Sequence, residues 1–252
     1  MTMRIRLFVG HLLVTLLVLS VIAFATLRWW SPEPYISAEG GWQILIILVV
    51  IGIVVGPLLT LLLYKPGKKG LLLDLVLVGI IQVGVIAFGV FTILDQRPVF
   101  LVFAVDRFTL VSKGDIDISL LGGNVSLPHF SQKPVAVYAR MPETEDEKSK
   151  LMQEVFDGKP DLEFRSEYYE PMHSNISAVV SRSIDNKNIS DNSSHAADAI
   201  NDFVDQHCIK VDRCAFFPLI GKKKEMLLVL NRENGKVIGA VNIDPWEVKA
   251  GN

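Results

Sequence analysis

The stretch Arg97–Ile116, RPVFLVFAVDRFTLVSKGDI, decides how the rest of the chain is read, because it is nearly as apolar as the long hydrophobic run that ends just before it. As the tail of a membrane helix it would leave little room for a folded domain; as a strand it would open one. Pro98 disfavours helical backbone at Arg97. Val99 to Val105 is rich in β-branched and aromatic residues, which suit a pleated, packed surface. A fourth membrane helix here would carry Asp106 and Arg107 into hydrocarbon, at roughly 2.5–3.5 kcal/mol each. The stretch therefore predicts a buried strand entered directly from the membrane.

Toward the N-terminus the chain is oilier. Of its 252 residues 50% are hydrophobic and 21% charged, and the apolar excess lies in the first hundred. Phe8 to Leu27, Trp42 to Leu63 and Leu71 to Leu94 each come close to the roughly 20 residues that cross a bilayer as a helix. None holds a Lys or Arg, and Asp74 is their one formal charge. Backbone groups in lipid are satisfied only in a helix or a closed barrel, so residues 1–94 are expected to form three transmembrane α-helices.

Basic residues mark the cytoplasmic side. Arg4 and Arg6 precede the first span, and Lys65, Lys68 and Lys69 fill the turn YKPGKKG between the second and third. The loop between the first two carries only Arg28, opposed by Glu33 and Glu39. The N-terminus and the lysine turn thus read as cytoplasmic, and everything after Leu94 as lying across the membrane. Trp29, Trp30, Tyr35 and Trp42 are expected at the far interface, where amphipathic rings settle. The first span, with Ala23–Ala25 reading AFA, also has features of a cleavable signal peptide, although its apolar run exceeds the usual 7–15 residues. Either way the remaining topology is the same.

Residues 95–252 have the size of one domain with a single core. Their charges are mixed and slightly acidic, which argues against nucleic acid as a partner. Pro134–Pro142 alternates like a strand, and Thr144–Gly158 reads as a helix with acidic residues in its first turn and a glycine stop. Ser181–Ser194 has the composition of an exposed loop. A helix with Ala196, Ile200, Phe203 and Val204 at helical spacing follows. CAFFPLI and EMLLVLNRENGKVIGAVNI then read as strands, with Asn234-Gly235 as a hairpin turn. The expected fold is an α+β domain with a mainly antiparallel sheet.

Chemistry-bearing patterns are few. HExxH, G-x-S-x-G, Walker A and dinucleotide glycine motifs are absent from the sequence, so no enzyme activity, cofactor or metal is expected. Cys208 and Cys214, five residues apart, could bridge in an oxidising compartment or stand as buried thiols. Within the spans, Gly52 and Gly56 form a small-xxx-small pair that permits close helix approach, either between the protein's own helices or toward a partner. Asp74 and Gln82 are the polar residues of the third span. An intramembrane carboxylate is a functional candidate, but Asp74 also lies near enough to Lys68 and Lys69 to belong to the cytoplasmic interface. Arg97, Asp106 and Arg107 at the join read as local ion pairs anchoring the domain, or as partner contacts.

The three N-terminal spans, the segment YKPGKKGLLLDLVLVGIIQ, the join RPVFLVFAVDRF and the closing PLIGKKKEMLLVLNRENGKVIGAVNIDPW together resemble the TfpX/TfpZ family of type IV pilin accessory proteins. The most specific pieces are Arg97-Pro98-Val99, Asp106-Arg107-Phe108 and Asp244-Pro245-Trp246. The resemblance implies a multi-pass protein of the bacterial inner membrane with a periplasmic domain. It also implies a type IV pilin as partner, with other pilus-assembly components nearby, and a role in pilus assembly without catalysis. The competing expectation is a membrane-bound sensor whose outer domain binds a small ligand; with so little chain in the cytoplasm, its signal would need a second protein.

Overall fold

A computed structural model describes residues 3–30, 32–122, 124–184, 194–207 and 210–246. Helix α1 (Met3–Ala25) runs on through a π-helical turn, Thr26–Trp30. A short α2 (Tyr35–Glu39) follows, then α3 (Gly41–Leu63) and α4 (Leu71–Asp95). The three long helices are long and apolar enough to cross a membrane. They are apolar nearly all round, and their outward side chains, such as Leu17, Leu62 and Phe91, lie open, as befits helices whose solvent is lipid. Helices α1 and α4 each pack along α3 and scarcely touch one another. Their shared core is small, built from Leu19, Leu45, Leu48 and Ile93.

After α4 the chain turns straight into β1 (Pro98–Ala104), which pairs antiparallel with β2 (Arg107–Ser112). Five further strands, β3 (Val135–Ala139), β4 (Tyr169–Pro171), β5 (Cys214–Ile220), β6 (Glu225–Asn231) and β7 (Val237–Val241), complete a sheet ordered β4-β3-β1-β2-β5-β6-β7. The sheet is mixed: β1 with β3 and β2 with β5 are parallel, the other pairings antiparallel. Between them lie α5 (Glu145–Phe156), α6 (Ile176–Val180) and α7 (Ser194–Gln206).

Both faces of the sheet are covered, which is why every residue of β1 is buried and why its sequence is a continuous apolar run rather than an alternating one. One face gathers Leu101, Phe103, Phe108, Phe217 and Leu228 with Met172 and Val179; the rings of Phe103, Phe108 and Phe217 meet at centroid distances of 5.1–5.7 Å. On the other face, Phe100, Val102, Leu162 and Tyr169 cover β1 and β3. There α7 seats Ala196, Ile200 and Val204 on Phe216 and Val229.

Local signals behave as their chemistry requires. The Thr144 hydroxyl accepts from Glu147 N at 3.2 Å and caps α5, and Gly158, at φ 88°, follows its end. Gly235, at φ 67°, turns the β6–β7 hairpin. One expectation is corrected. Tyr35 is not an exposed interfacial ring: it is buried in the sheet's core, because α2 packs against the strands. Cys208 lies outside the described residues, and with it the bridge to Cys214. The buried Cys214 thiol reaches Lys210 O at 3.6 Å.

Candidate functional site

The polar residues of the spans meet at one level. Gln82 of α4 is buried, and its Nε2 donates to Gly52 O of α3 at 3.1 Å. The amide lies over Gly56, where a β-carbon would collide with Gln82 Oε1 and come within 3.0 Å of His11 Nε2. A β-carbon at Gly52 would stand 2.9 Å from Leu19 Cδ1. The two glycines therefore let α1 and α4 close on α3, the packing of the protein's own helices.

His11 Nδ1 lies 2.8 Å from Thr60 Oγ1, which itself donates to Gly56 O at 3.1 Å. Thr60 thus links the His11 ring to the backbone of α3. Gln82 Oε1 has no hydrogen-bond partner. Gln82 Oε1 thus faces the Gly56 notch without a donor among the described residues. Beside it a groove of 380 Å³ opens between α1 and α4, lined among others by His11, Thr15, Val18, Gly79, Gln82 and Ala87.

The other residues singled out in the sequence lie elsewhere. Asp74, at the start of α4, pairs with Lys68 of the lysine turn. Arg97 is buried at the foot of β1, where Nη2 donates to His129 O at 2.7 Å and Gln132 O at 2.8 Å; burial lowers its pKa. Asp106 and Arg107 pair at 3.0 Å where β1 turns into β2, at the opposite end of the seven-residue β1 from Arg97 and about 20 Å away. Arg107 also lies over the Trp246 ring, 5.4 Å from its centroid, and Trp246 Nε1 donates to Glu225. The seven residues form four separate places, not one site.

A fifth place was not legible. Glu39, at the end of α2, is buried beneath the sheet; it accepts from Ser112 Oγ at 2.9 Å and from Lys222 N at 3.4 Å. Lys222 Nζ in turn reaches Gln96 Oε1 at 2.9 Å and Asp115 Oδ1 at 2.8 Å. Ala38 O accepts from Lys223 N at 2.9 Å. This knot ties the first membrane hairpin and the end of α4 to the strands. Burial pushes the Glu39 carboxyl above its ordinary range, against the opposing pull of Ser112 and Lys222. His11 and Glu39 were visible as polar residues in or beside apolar runs, but nothing in the sequence paired them with Thr60 or Ser112, 49 and 73 positions away.

In the sheet domain a cleft of 710 Å³ runs beside β3, and the titratable groups lining it are His173 and Lys236. Among the described residues no carboxylate lines it.

No family model matches the chain, and no solved structure does. Among known proteins, it is 26% identical over 246 residues to the fimbrial assembly protein of serogroup I of Dichelobacter nodosus, covering 94% of each chain. To that of serogroup E1 from the same organism it is 25% identical over the same shares. To the fimbrial assembly protein of serogroups C1 and C2 it is 34% identical over 108 residues, 42% of this chain and 82% of the relative. With near-complete overlap in two relatives and closer identity over most of a third, the chain belongs to the family of fimbrial assembly proteins.

Proposed function

We propose that the protein is a non-catalytic type IV pilus assembly factor of the TfpX/TfpZ kind. It sits in the bacterial inner membrane with its sheet domain in the periplasm, and it binds its cognate pilin before that pilin enters the fibre. The names of the Dichelobacter nodosus relatives support the assembly role, and the resemblance of the spans and joining segment supports the pilin as client.

The observation that carries the reading is the knot of Glu39, Ser112, Lys222 and Gln96. A subunit held in the membrane by one apolar helix, with a soluble head outside, is served by a factor whose own helices and outer domain keep a fixed relation. Here α2 inserts into the domain's core and Lys222 bridges to the end of α4, so grip on a helix and grip on a head belong to one body. Gly52 and Gly56 act indirectly by holding the helices together, and Asp74 steadies the lysine turn through Lys68.

The test is co-purification of the full-length protein with the pilin encoded beside it, together with a pilus count in a deletion strain. Specific capture and loss of surface pili are expected. Normal piliation without capture would sink the reading and leave ligand sensing to be pursued.

A further inference from the structure

We propose that the turn His129–Gln132 is a lipid-binding contact of the sheet domain, with Phe130 entering the headgroup and upper acyl layer of the membrane that the three helices cross. The inference rests on those helices spanning a bilayer, and not on which protein the chain serves. Asp74 and Asp95 bracket the apolar part of α4; at helical rise they stand about 32 Å apart, close to the roughly 30 Å of a hydrocarbon core. Asp95 therefore marks the level at which the chain leaves hydrocarbon, and Arg97 follows at once. The buried Arg97 guanidinium donates to both carbonyls that bound the turn, His129 O at 2.7 Å and Gln132 O at 2.8 Å. Gln132 N closes the turn on His129 O at 2.9 Å. The turn is thus clamped to the membrane end of β1, and Phe130 within it is 53% exposed.

Topology brings the rest of the same connection to that level. Strand β2 ends beside the start of β1, with Ser112 opposite Pro98, and β3 begins there, with Val135 opposite Phe100. The connection between them, residues 113–134, accordingly leaves and returns at the membrane end of the sheet. A β-carbon at Gly114 would strike Asp95, so the connection starts against the end of α4. Ile118 and Leu120 lie exposed along it, as Phe130 does. Apolar side chains exposed singly are ordinary on any protein; three in one connection at the edge of a bilayer have an apolar phase within reach. The charges agree. Lys113 and Lys133 stand exposed near its two ends, where an anionic headgroup layer attracts them. Its carboxylates, Asp115 and Asp117, are engaged by Lys222 and by Ser119, and beyond Asp117 it holds no Asp or Glu.

The full-length protein would be placed in nanodiscs of phosphatidylethanolamine and phosphatidylglycerol, with and without bromine on the acyl chains, as wild type, Phe130→Trp and Val105→Trp. Val105, 48% exposed, follows the far end of β1. Bromine should quench the emission added by Phe130→Trp, more strongly from shallow than from deep acyl positions, since an interfacial anchor reaches about 5–10 Å into the boundary. The emission added by Val105→Trp should be untouched. Equal behaviour at the two positions would overturn the contact. A photo-crosslinking residue in place of Phe130 should give lipid adducts in cells; adducts to the pilin and none to lipid would overturn it equally and hand the turn to the client. Trp29 and Trp42, exposed beside the spans, should be quenched already in the wild type. Their failure to be quenched would show that the helices are not in the bilayer, and would remove the reading beneath the contact.

Discussion

Leu71–Asp95 and Pro98–Ala104 are neighbours in sequence and both almost wholly apolar, yet they dissolve in different media. Along α4, Leu72 is 77% and Phe88 73% exposed; along β1, Val99 to Ala104 are 4% exposed or less. The helix satisfies its backbone internally and needs partners on one side only, so lipid takes the rest. The strand satisfies its backbone through β2 and β3 and is buried on both faces. Equal hydrophobicity thus has opposite consequences: in β1 each side chain holds the fold, whereas in α4 most do not.

The sharpest way to break that comparison is to truncate one aromatic in each element. Phe103→Ala should cost about 3–5 kcal/mol, read as loss of near-ultraviolet dichroism and a lower melting temperature in detergent. Phe88→Ala should stay within about 0.5 kcal/mol. Equal costs would mean that α4 has a packed neighbour on its open face. The exception within the helices is the glycine notch: Gly56→Leu must displace Gln82 and His11, at about 1–3 kcal/mol, whereas Gly79→Ala meets nothing and should be neutral. The same melts, with helix content followed in the far ultraviolet, separate the two.

The contrast also explains what could be read in advance. The three spans, the strand after Pro98, the capped α5 and the β6–β7 hairpin are local signals: apolar length, Pro98, Thr144 and Asn234-Gly235 each act within a few residues. The parallel pairings of β1 with β3 and β2 with β5 join segments far apart in sequence, and no periodicity encodes them. The insertion of α2 under the sheet was hidden because Tyr35 has the composition of an interfacial ring. Of the candidate site, Gly52, Gly56 and Gln82 were visible as small or polar residues in apolar runs, but their meeting with His11 depends on how three helices stack.

Where the two media meet, Glu39 gives a smaller and pH-dependent effect. Its folded pKa is raised above the ordinary 4.5, first by burial, with Asp115 adding and Ser112 and Lys222 opposing. A raised carboxyl favours the folded state while it is protonated. Its contribution is fully present below pH 4.5 and is lost as the pH rises through the folded value. Glu39→Gln keeps an acceptor for Ser112 and should change stability by no more than about 1 kcal/mol. The melting temperature of the wild type should fall relative to the variant as the pH is raised from 4 to 8. Parallel profiles would show that the carboxyl gains its proton no more readily in the fold than in the unfolded chain.

At the other end of α4 the smallest effect is expected. Asp74 and Lys68 are 26% and 42% exposed along their side chains, so water and salt screen the pair and its worth is below about 1 kcal/mol. Asp74→Asn should therefore leave both the melting temperature and pilin capture unchanged, and raising the salt should not separate variant from wild type. The alternative has a distinct signature, since a carboxylate that met a charge on the pilin would show as lost capture at unchanged stability, restored by no change in the lysine turn. That outcome would move Asp74 from the protein's own scaffold to its binding surface, and would make the start of α4 a point where a partner is held.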